Sequence, residues 1–429
     1  MNKYIFILGQ NPALSIVEIE SFFTKIKSTI VLNSKSSAAM VISSTKKLNL
    51  VELQKQLGGT IKIATVINEA MTSRDHQVII SSLQNDILSL LSKQKSSADQ
   101  KIKFGISLYF SDPDYRNKKN IRNDINKLGL TVKRSLANKN KKSRFVVSRD
   151  YELSSVIVQK EKLLDKGYDF ILYLTKEITY LARTETVQDF QDYSARDYNR
   201  PQKDMLSGII PVKLAQMMIN ISRGSDDEFL LDPFCGSGTI IQEALRLGYN
   251  KVIGSDKSDK AINNTKNNLR WFIDKYNLET KNKVIELYQS SVENLGKKID
   301  PEKIGAVVTE PYLGSPYQSE SDYLARSQQI KQIEKLYLQS FQSLYPLLFD
   351  GALIIMVWPV FWTRKNNADI YLSDQLVKEI QKLGFVQVLV SKEMSNDRDL
   401  AKNLSKRSTI LFFRQQQRIK REIVMFQKK

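Results

Sequence analysis

The chain has 429 residues, with 65 Lys+Arg against 46 Asp+Glu and a formal net charge of +19. That length allows roughly two to four domains. A single cysteine, Cys235, and a single histidine, His76, exclude disulfide frameworks, zinc clusters and Cys/His or Ser/His/Asp catalysis. The opening apolar run is too short for a signal peptide and no stretch is long enough to span a membrane, so a cytoplasmic protein without metal is expected.

Tyr4–Leu8 reads as a buried strand and Pro12–Phe23 as a helix with an early proline. Strands at Ala38–Ile42 and Ile61–Ile67 flank a helix at Val51–Leu57, which gives an α+β unit over residues 1–72. A helix at Ile79–Ser92, a strand at Lys103–Phe110, a helix at Arg122–Gly129 and strands at Phe145–Val147, Val156–Val158 and Asp169–Tyr173 form a second unit, residues 73–180. Residues 1–180 hold 29 Lys+Arg and 16 Asp+Glu. Between Arg116 and Arg149 there are twelve basic residues and one acid, Asp124. A polyanion gains counterion-release free energy on such a segment. Arg122, Lys133, Arg134, Lys141, Lys142 and Arg144 are therefore candidate RNA contacts. Solvated faces in a lysine-rich chain remain the plainer alternative.

Residues 181–222 read as a linker and pre-catalytic segment, dense in Arg, Asp and Tyr, with a helix starting at Pro211. From there strands and helices alternate, the mark of a doubly wound parallel sheet, and a third domain is expected over residues 223–415. Strands fit Phe229–Leu231, Lys251–Ser255, Val284–Tyr288, Ala306–Thr309 and Ala352–Val357. Phe385–Val390 and Thr409–Arg414 should close the sheet as an antiparallel hairpin, leaving residues 416–429 as a basic tail. Five parallel strands with a closing antiparallel pair make a Rossmann-like α/β domain with a seven-stranded mixed sheet, the architecture of the class I methyltransferases.

The chemistry-bearing positions lie at strand ends. Gly236-Ser237-Gly238-Thr239 occupies a strand-to-helix turn, where bare backbone and a helix N-terminus can receive a ligand. Asp232 closes the preceding strand, where it could meet an ammonium or hydroxyl group. Asp256, 20 residues after Gly236, is placed to accept hydrogen bonds from a ribose diol. Two glycines alone also serve steric turns, and a dinucleotide dehydrogenase would carry a third where Ile241 stands. The whole run Asp232-Pro233-Phe234-Cys235-Gly236-Ser237-Gly238-Thr239 resembles the S-adenosylmethionine loop of class I amino-methyltransferases. By that resemblance Asp232, Phe234, Gly236, Gly238, Thr239 and Asp256 bind the cofactor, and Ser291 stands where an acid often contacts the adenine amine. Thr309-Glu310-Pro311-Tyr312-Leu313-Gly314 follows the fourth strand, where such enzymes carry Asp/Asn-Pro-Pro-Tyr/Phe. Glu310, Pro311 and Tyr312 are the candidate catalytic residues: an acceptor for an exocyclic amine, a rigid loop, and a ring to stack on a base. Here the acid is one methylene longer and the aromatic comes one residue early. Cys235 lies in the cofactor loop, which argues against thiol attack on a pyrimidine.

Tyr193-Ser194-x-Arg196-Asp197-x-x-Arg200-Pro201-x-x-Asp204, then Gly208 and Pro211-x-Lys213-Leu214-Ala215, followed by Asp232 to Thr239, resembles the signature of the tRNA guanosine-10 N2-methyltransferases. Gly9-x-Asn11-Pro12-x-Leu14-Ser15-x-x-Glu18 is similar to that family's N-terminal ferredoxin-like unit, and the middle unit to its RNA-binding THUMP domain. The resemblance implies that the first 180 residues dock tRNA and the last domain methylates a guanosine N2 amine with S-adenosylmethionine. Asp204 and Lys213 would flank the cofactor pocket. Two other readings stand beside it: a catalytically silent tRNA-binding protein, and a DNA adenine N6-methyltransferase. A helper subunit or a homodimer is left open.

Overall fold

The computed structural model describes residues 1–72, 76–94, 101–115, 117–202, 209–222, 224, 228–315, 323–363, 368–413 and 419–429. The chain divides into two compact units, one of Met1–Ile16 with Lys27–Gln191, the other of Val17–Ile26 with Asp192–Lys429.

In the first unit β1 (Asn2–Leu8), the opening turn of α1 (Pro12–Lys25, which from Val17 on counts with the second unit), β2 (Ile30–Lys35), β3 (Ala39–Ser44), α2 (Leu50–Gln56) and β4 (Thr60–Met71) are followed by α3 (His76–Lys93), β5 (Ile102–Phe110), α4 (Lys118–Ala137), β6 (Ser143–Val146), α5 (Ser155–Lys160), β7 (Gly167–Leu174) and β8 (Ile178–Val187). The strands form one sheet in the order β2-β3-β1-β4-β8-β7-β5-β6. The first four are antiparallel neighbours, and antiparallel pairing of β4 with β8 joins them to the rest. The boundary expected near residue 72 is thus no break in the sheet, and the linker expected from residue 181 begins inside β8.

Two local expectations are corrected. Val156–Val158, a β-branched run read as a strand, lies in α5, because the Ser154 side chain caps the turn by accepting from the Ile157 N–H at 3.3 Å. The helix expected at Arg122–Gly129 runs over the whole of Lys118–Ala137. Ile121, Ile125, Leu128, Val132 and Leu136 recur at helical spacing and are buried, so much of the basic run is the outer face of an amphipathic helix.

The middle of this sheet holds a buried charge pair. Lys62 of β4 lies 2.7 Å from Asp169 of β7, the two side chains 1% and 0% exposed. The Ser107 and Thr184 hydroxyls each donate to the same carboxylate at 2.8 Å. Such a pair adds little over an apolar replacement, yet a lone survivor is expensive. Lys62→Met is expected to cost about 3–5 kcal/mol by stranding Asp169. Adding Asp169→Leu should return most of that loss, read as the urea midpoint of this unit's unfolding; an undiminished loss in the double variant would refute the account.

The second unit begins with α6 (Phe190–Tyr198) and α7 (Val212–Ile221), then β9 (Phe229–Asp232), α8 (Thr239–Arg246), β10 (Lys251–Asp256), α9 (Asp259–Tyr276), β11 (Val284–Gln289), β12 (Ile304–Thr309) and α10 (Tyr323–Leu344). It ends with β13 (Leu348–Thr363), β14 (Ala368–Ile370), α11 (Asp374–Lys382), β15 (Phe385–Val388), α12 (Lys392–Asn396), β16 (Ile410–Phe412) and β17 (Ile419–Lys428). The sheet runs β11-β10-β9-β12-β13-β17-β15, with β14 on β13 and β16 on β17. β9 to β13 pair in parallel, while β17 is antiparallel to both of its neighbours on this path, β13 and β15.

The expected basic tail is therefore largely an interior strand. Ile423, Val424, Met425 and Phe426 are buried, and the flanking charges are spent on ion pairs. Nor do Phe385–Val390 and Thr409–Arg414 make a hairpin with each other: β15 and β16 both pair with β17. The core of the unit joins Leu231, Ile253, Val307, Ile354, Trp358 and Phe426 to the apolar face of α10, Ile333, Tyr337, Phe341 and Leu344. β9 lies where the strand order turns back, between β10 and β12, and ligands of open α/β sheets bind outside the carboxyl ends at such a point.

Candidate active site

Asp232 ends β9 and is 2% exposed. Its Oδ1 accepts from the Thr309 hydroxyl at 2.7 Å and from the Phe234 N–H at 3.2 Å. Burial is the main force on this carboxyl, opposed by those two hydrogen bonds and reinforced by Asp256 and Glu310, and it is pushed up to about 7. Phe234, half-buried, packs against the core below.

The turn after it is held by backbone geometry that glycine supplies. Gly236 has φ +52° and Gly238 φ +84°. A Cβ at Gly236 would meet nothing within 4 Å, so the loop presents bare backbone to open space; at Gly238 it would lie 2.8 Å from the Thr265 methyl. From α9, Thr265 donates to the Gly236 carbonyl at 2.9 Å and Asn268 to the Ser237 carbonyl at 2.9 Å. Arg200, 3% exposed, donates to the Thr239 hydroxyl at the start of α8. Asp256, at the end of β10, accepts from the Gly236 N–H at 3.1 Å and the Ser258 N–H at 2.9 Å. Asp232, the two glycines, Thr239 and Asp256 are thus gathered at the carboxyl edge of β9 and β10. Ser291, after β11, is half-buried and its hydroxyl accepts from Asn294 at 3.1 Å.

Across Thr309 this cradle meets the second motif. Glu310 is gripped by both arms of one guanidinium: Arg421 of β17 donates from Nε at 2.5 Å and from Nη2 at 3.1 Å, each side chain 11% exposed. Pro311 is buried, while Tyr312 is 58% exposed. The Tyr312 backbone is fixed by the Tyr337 hydroxyl, which donates to its carbonyl at 3.0 Å. Arg326 lies over the Phe361 ring and donates to the Ser315 carbonyl at 3.2 Å and to Gln329 at 2.9 Å, pinning the end of the loop. The ring of Tyr312 is left outward, where it can meet a planar partner.

The remaining expectations separate. Lys213, in the first turn of α7, has its ammonium 4.9 Å from the Tyr193 ring centroid, beside the buried Arg196–Glu243 pair. Asp204 lies outside the described residues. In the first unit Arg122 donates to the Ser148 and Arg149 carbonyls, Lys141 to those of Ser92 and Gln94, and Arg144 pairs with Glu161. Lys133, Arg134 and Lys142 are exposed. Sequence reasoning missed Arg421, Thr265 and Asn268. Nothing in the sequence distinguished Arg421 from the other cations near the C-terminus. Arg200 was visible in the signature but had no assigned role.

Two family models match. One, described as DNA methylase (N6_N4_Mtase), covers residues 21–267, and the RMKL-like methyltransferase-domain model covers 200–359. The chain belongs to the family of the first. Among curated relatives, a tRNA (guanine(10)-N2)-dimethyltransferase of Methanothermobacter thermautotrophicus is 31% identical over 175 residues, 41% of this chain and 45% of that protein. Another of the same name from Methanocaldococcus jannaschii is 33% identical over 143 residues, 32% of this chain and 39% of its own. These matches span less than half the length of either relative. Among solved structures, TrmN from Thermus thermophilus aligns over all of both chains with TM-score 0.56 at 14% identity. SMU.472 in complex with SAH aligns over 100% of this chain and 99% of its own, with TM-score 0.50 at 11% identity. The fold is that of the class I methyltransferases, and the resemblance seen in the sequence to the tRNA guanosine-10 N2-methyltransferases is borne out by these relatives.

The geometry of the glycine turn is testable. Gly236→Ala and Gly238→Ala both force a Cβ onto left-handed backbone, at about 1–2 kcal/mol each. Only Gly238→Ala adds the clash with Thr265, so it should lower the melting temperature further, and Thr265→Ser should restore part of the difference. Equal losses without rescue would contradict the assigned contact.

Proposed function

We propose that this chain transfers methyl groups from S-adenosylmethionine to the exocyclic N2 amine of a guanosine in tRNA, of the position-10 type named by its curated relatives. The observation that carries the reading is the meeting, at one sheet edge, of the Asp232–Asp256 glycine cradle with a carboxylate and an outward tyrosine on the Glu310-Pro311-Tyr312 loop. The cradle fits the cofactor: bare backbone at Gly236, donors at the start of α8, and acceptors at Asp232 and Asp256. Phe234, Gly238, Thr239 and Ser291 complete the proposed binding set, and the sequence resemblance adds Asp204 and Lys213 to it. S-adenosylmethionine, when bound, supplies an electrophilic methyl group. The protein's part is position. Glu310 accepts an N–H of the target amine and turns its lone pair outward. Tyr312 stacks on the base, buried Pro311 keeps the loop stiff, and the carboxylate offers the path by which the amine proton leaves.

For the first unit we infer a ferredoxin-like portion over residues 1–72 and a THUMP-like portion over 73–180. Support comes from the β-α-β-β-α-β order of β1 to β4 and from the basic outer face of α4. Arg122, Lys133, Arg134, Lys141, Lys142 and Arg144 are its proposed RNA-facing set, of which Lys133, Arg134, Lys142 and Arg144 are exposed. tRNA is the proposed macromolecular partner, and a cytoplasmic setting follows from it. Among the described residues no helix is long and apolar enough to cross a membrane.

Labelled S-adenosylmethionine incubated with unmodified tRNA transcript should yield labelled N2-methylguanosine, lost when the position-10 guanosine is replaced. Glu310→Ala should abolish transfer and leave cofactor affinity nearly intact; undiminished turnover would remove Glu310 from its role. The DNA methylase description of the family model favours a second reading, methylation of DNA amino groups. Label on duplex DNA rather than tRNA would establish that one instead.

The Asp232 carboxyl gives a pH signature. It is pushed up to about 7, so the free protein holds it protonated at lower pH. A ligand presenting an ammonium group selects the ionised form, at most about tenfold in affinity per pH unit. S-adenosylmethionine should therefore bind more tightly as pH rises from about 5.5 to 7.5, and Asp232→Asn should flatten that rise in calorimetric titrations. A flat wild-type profile would show that Asp232 does not face the cationic group.

A further inference from the structure

Glu310 is not an isolated acid waiting for a substrate. Its carboxylate is held by a two-pronged contact from Arg421 Nε and Nη2, at 2.5 and 3.1 Å, with both side chains 11% exposed. Arg421 sits on β17 opposite Pro359 of β13, in the antiparallel register that runs from Leu353 to Phe361. The arginine's backbone is thereby set by the sheet and not by a loop. Other ionisable groups that act on this carboxylate or feel it are the acid Asp232 on β9 and the phenol of Tyr337 on α10. Among the described residues Arg421 is the cation that binds it.

We propose that Arg421 is a positioning residue for methyl transfer: it sets the plane of the Glu310 carboxylate and so the direction from which the target amine is accepted. The inference rests on the functional reading above. A guanidinium fork takes one oxygen with each arm, and a planar fork on a planar carboxylate leaves no torsional freedom to the acid. The lone pairs left for an incoming amine then point away from Arg421, along one edge of the carboxylate. A glutamate has one more rotatable bond than the aspartate usual at this place, and would hold an amine less well if its end were loose. The fork removes that freedom. Arg421 does not touch the reacting atoms and acts only through Glu310.

The experiment compares wild type, Arg421→Met, Arg421→Lys, Glu310→Gln and the Glu310→Gln/Arg421→Met double variant of the full chain. Its readouts are steady-state methylation of tRNA transcript, S-adenosylhomocysteine affinity by calorimetry, and melting temperature. Arg421→Met should lower kcat about 10²-fold, the scale of a misplaced reacting geometry. Its KM for tRNA and its affinity for S-adenosylhomocysteine should stay within about threefold of wild type, since binding surfaces are untouched. Arg421→Lys, with the charge but no fork, should recover part of the loss. The double variant, which leaves no half-buried charge unpaired and guards against a folding defect, should be no slower than Glu310→Gln alone. The proposal is overturned if Arg421→Met turns over like wild type, if kcat and KM fall together with the melting temperature, or if the two substitutions multiply. If wild type itself transfers no methyl group to tRNA, the functional reading fails first, and Arg421 loses its role with it.

Discussion

Three acids end three neighbouring strands of the second unit, and the site depends on their not repelling one another apart. Asp232 closes β9, Asp256 closes β10, and Glu310 follows β12, with β9 between the other two. Each is held by a different means. Asp232 is buried and pushed up to about 7, so near neutral pH it is only partly charged. Asp256 receives two backbone N–H groups from its own turn and the glycine loop. Glu310 receives a guanidinium. Thr309 ties the first to the third by donating to Asp232 from the residue before Glu310. The charges of Asp256 and Glu310 add to the burial that pushes the Asp232 carboxyl up. One proton, two amides and one arginine make the arrangement tolerable while leaving acceptor oxygens for a ligand.

The glycine loop and the Glu-Pro-Tyr loop were legible in the sequence because their chemistry is local. Positive φ favours glycine, a strand end places an acid, and a proline stiffens the residues beside it. The partners were not legible, because they come from distant segments whose own signals are ordinary. Thr265 and Asn268 look like any polar residues on α9. Arg421 sits in a run of cations, and that run hid the apolar Ile423–Phe426 which makes β17 an interior strand. The same bias turned a β-branched triplet into an expected strand where one serine cap makes a helical turn. The join of β4 to β8 is a pairing between residues more than a hundred positions apart, and nothing local announces it. The inferences that failed were those that needed a partner from elsewhere in the chain.

Charge clustering in the first unit has a similar lesson. Part of the basic run between Arg116 and Arg149 serves the fold. Arg122 and Lys141 are spent on carbonyl oxygens, Arg144 on Glu161, and Arg134 lies in the last turn of α4, where a cation suits the helix dipole. Lys133, Arg134 and Lys142 stay exposed. A surplus of positive charge sets the field around a protein, but contacts with a polyanion are made by the few cations that face solvent.

The substitution of glutamate for the shorter acid and the presence of Arg421 are best understood as one device. An aspartate at position 310 would draw its carboxylate back by about one carbon–carbon bond, 1.5 Å, and away from the two-pronged contact with an arginine whose backbone is set by the sheet register. Glutamate without the arginine would leave a long, half-buried acid without a fixed orientation. The loop shows the same economy one step on: Tyr312 follows Pro311 directly, with its carbonyl held by Tyr337 and its ring turned out. Fold membership alone does not name the group that is modified, because many targets share that sheet. On the proposed reading the target is chosen by how these few side chains are braced, and in this chain the brace for the acid reaches in from the strand that looked like a tail.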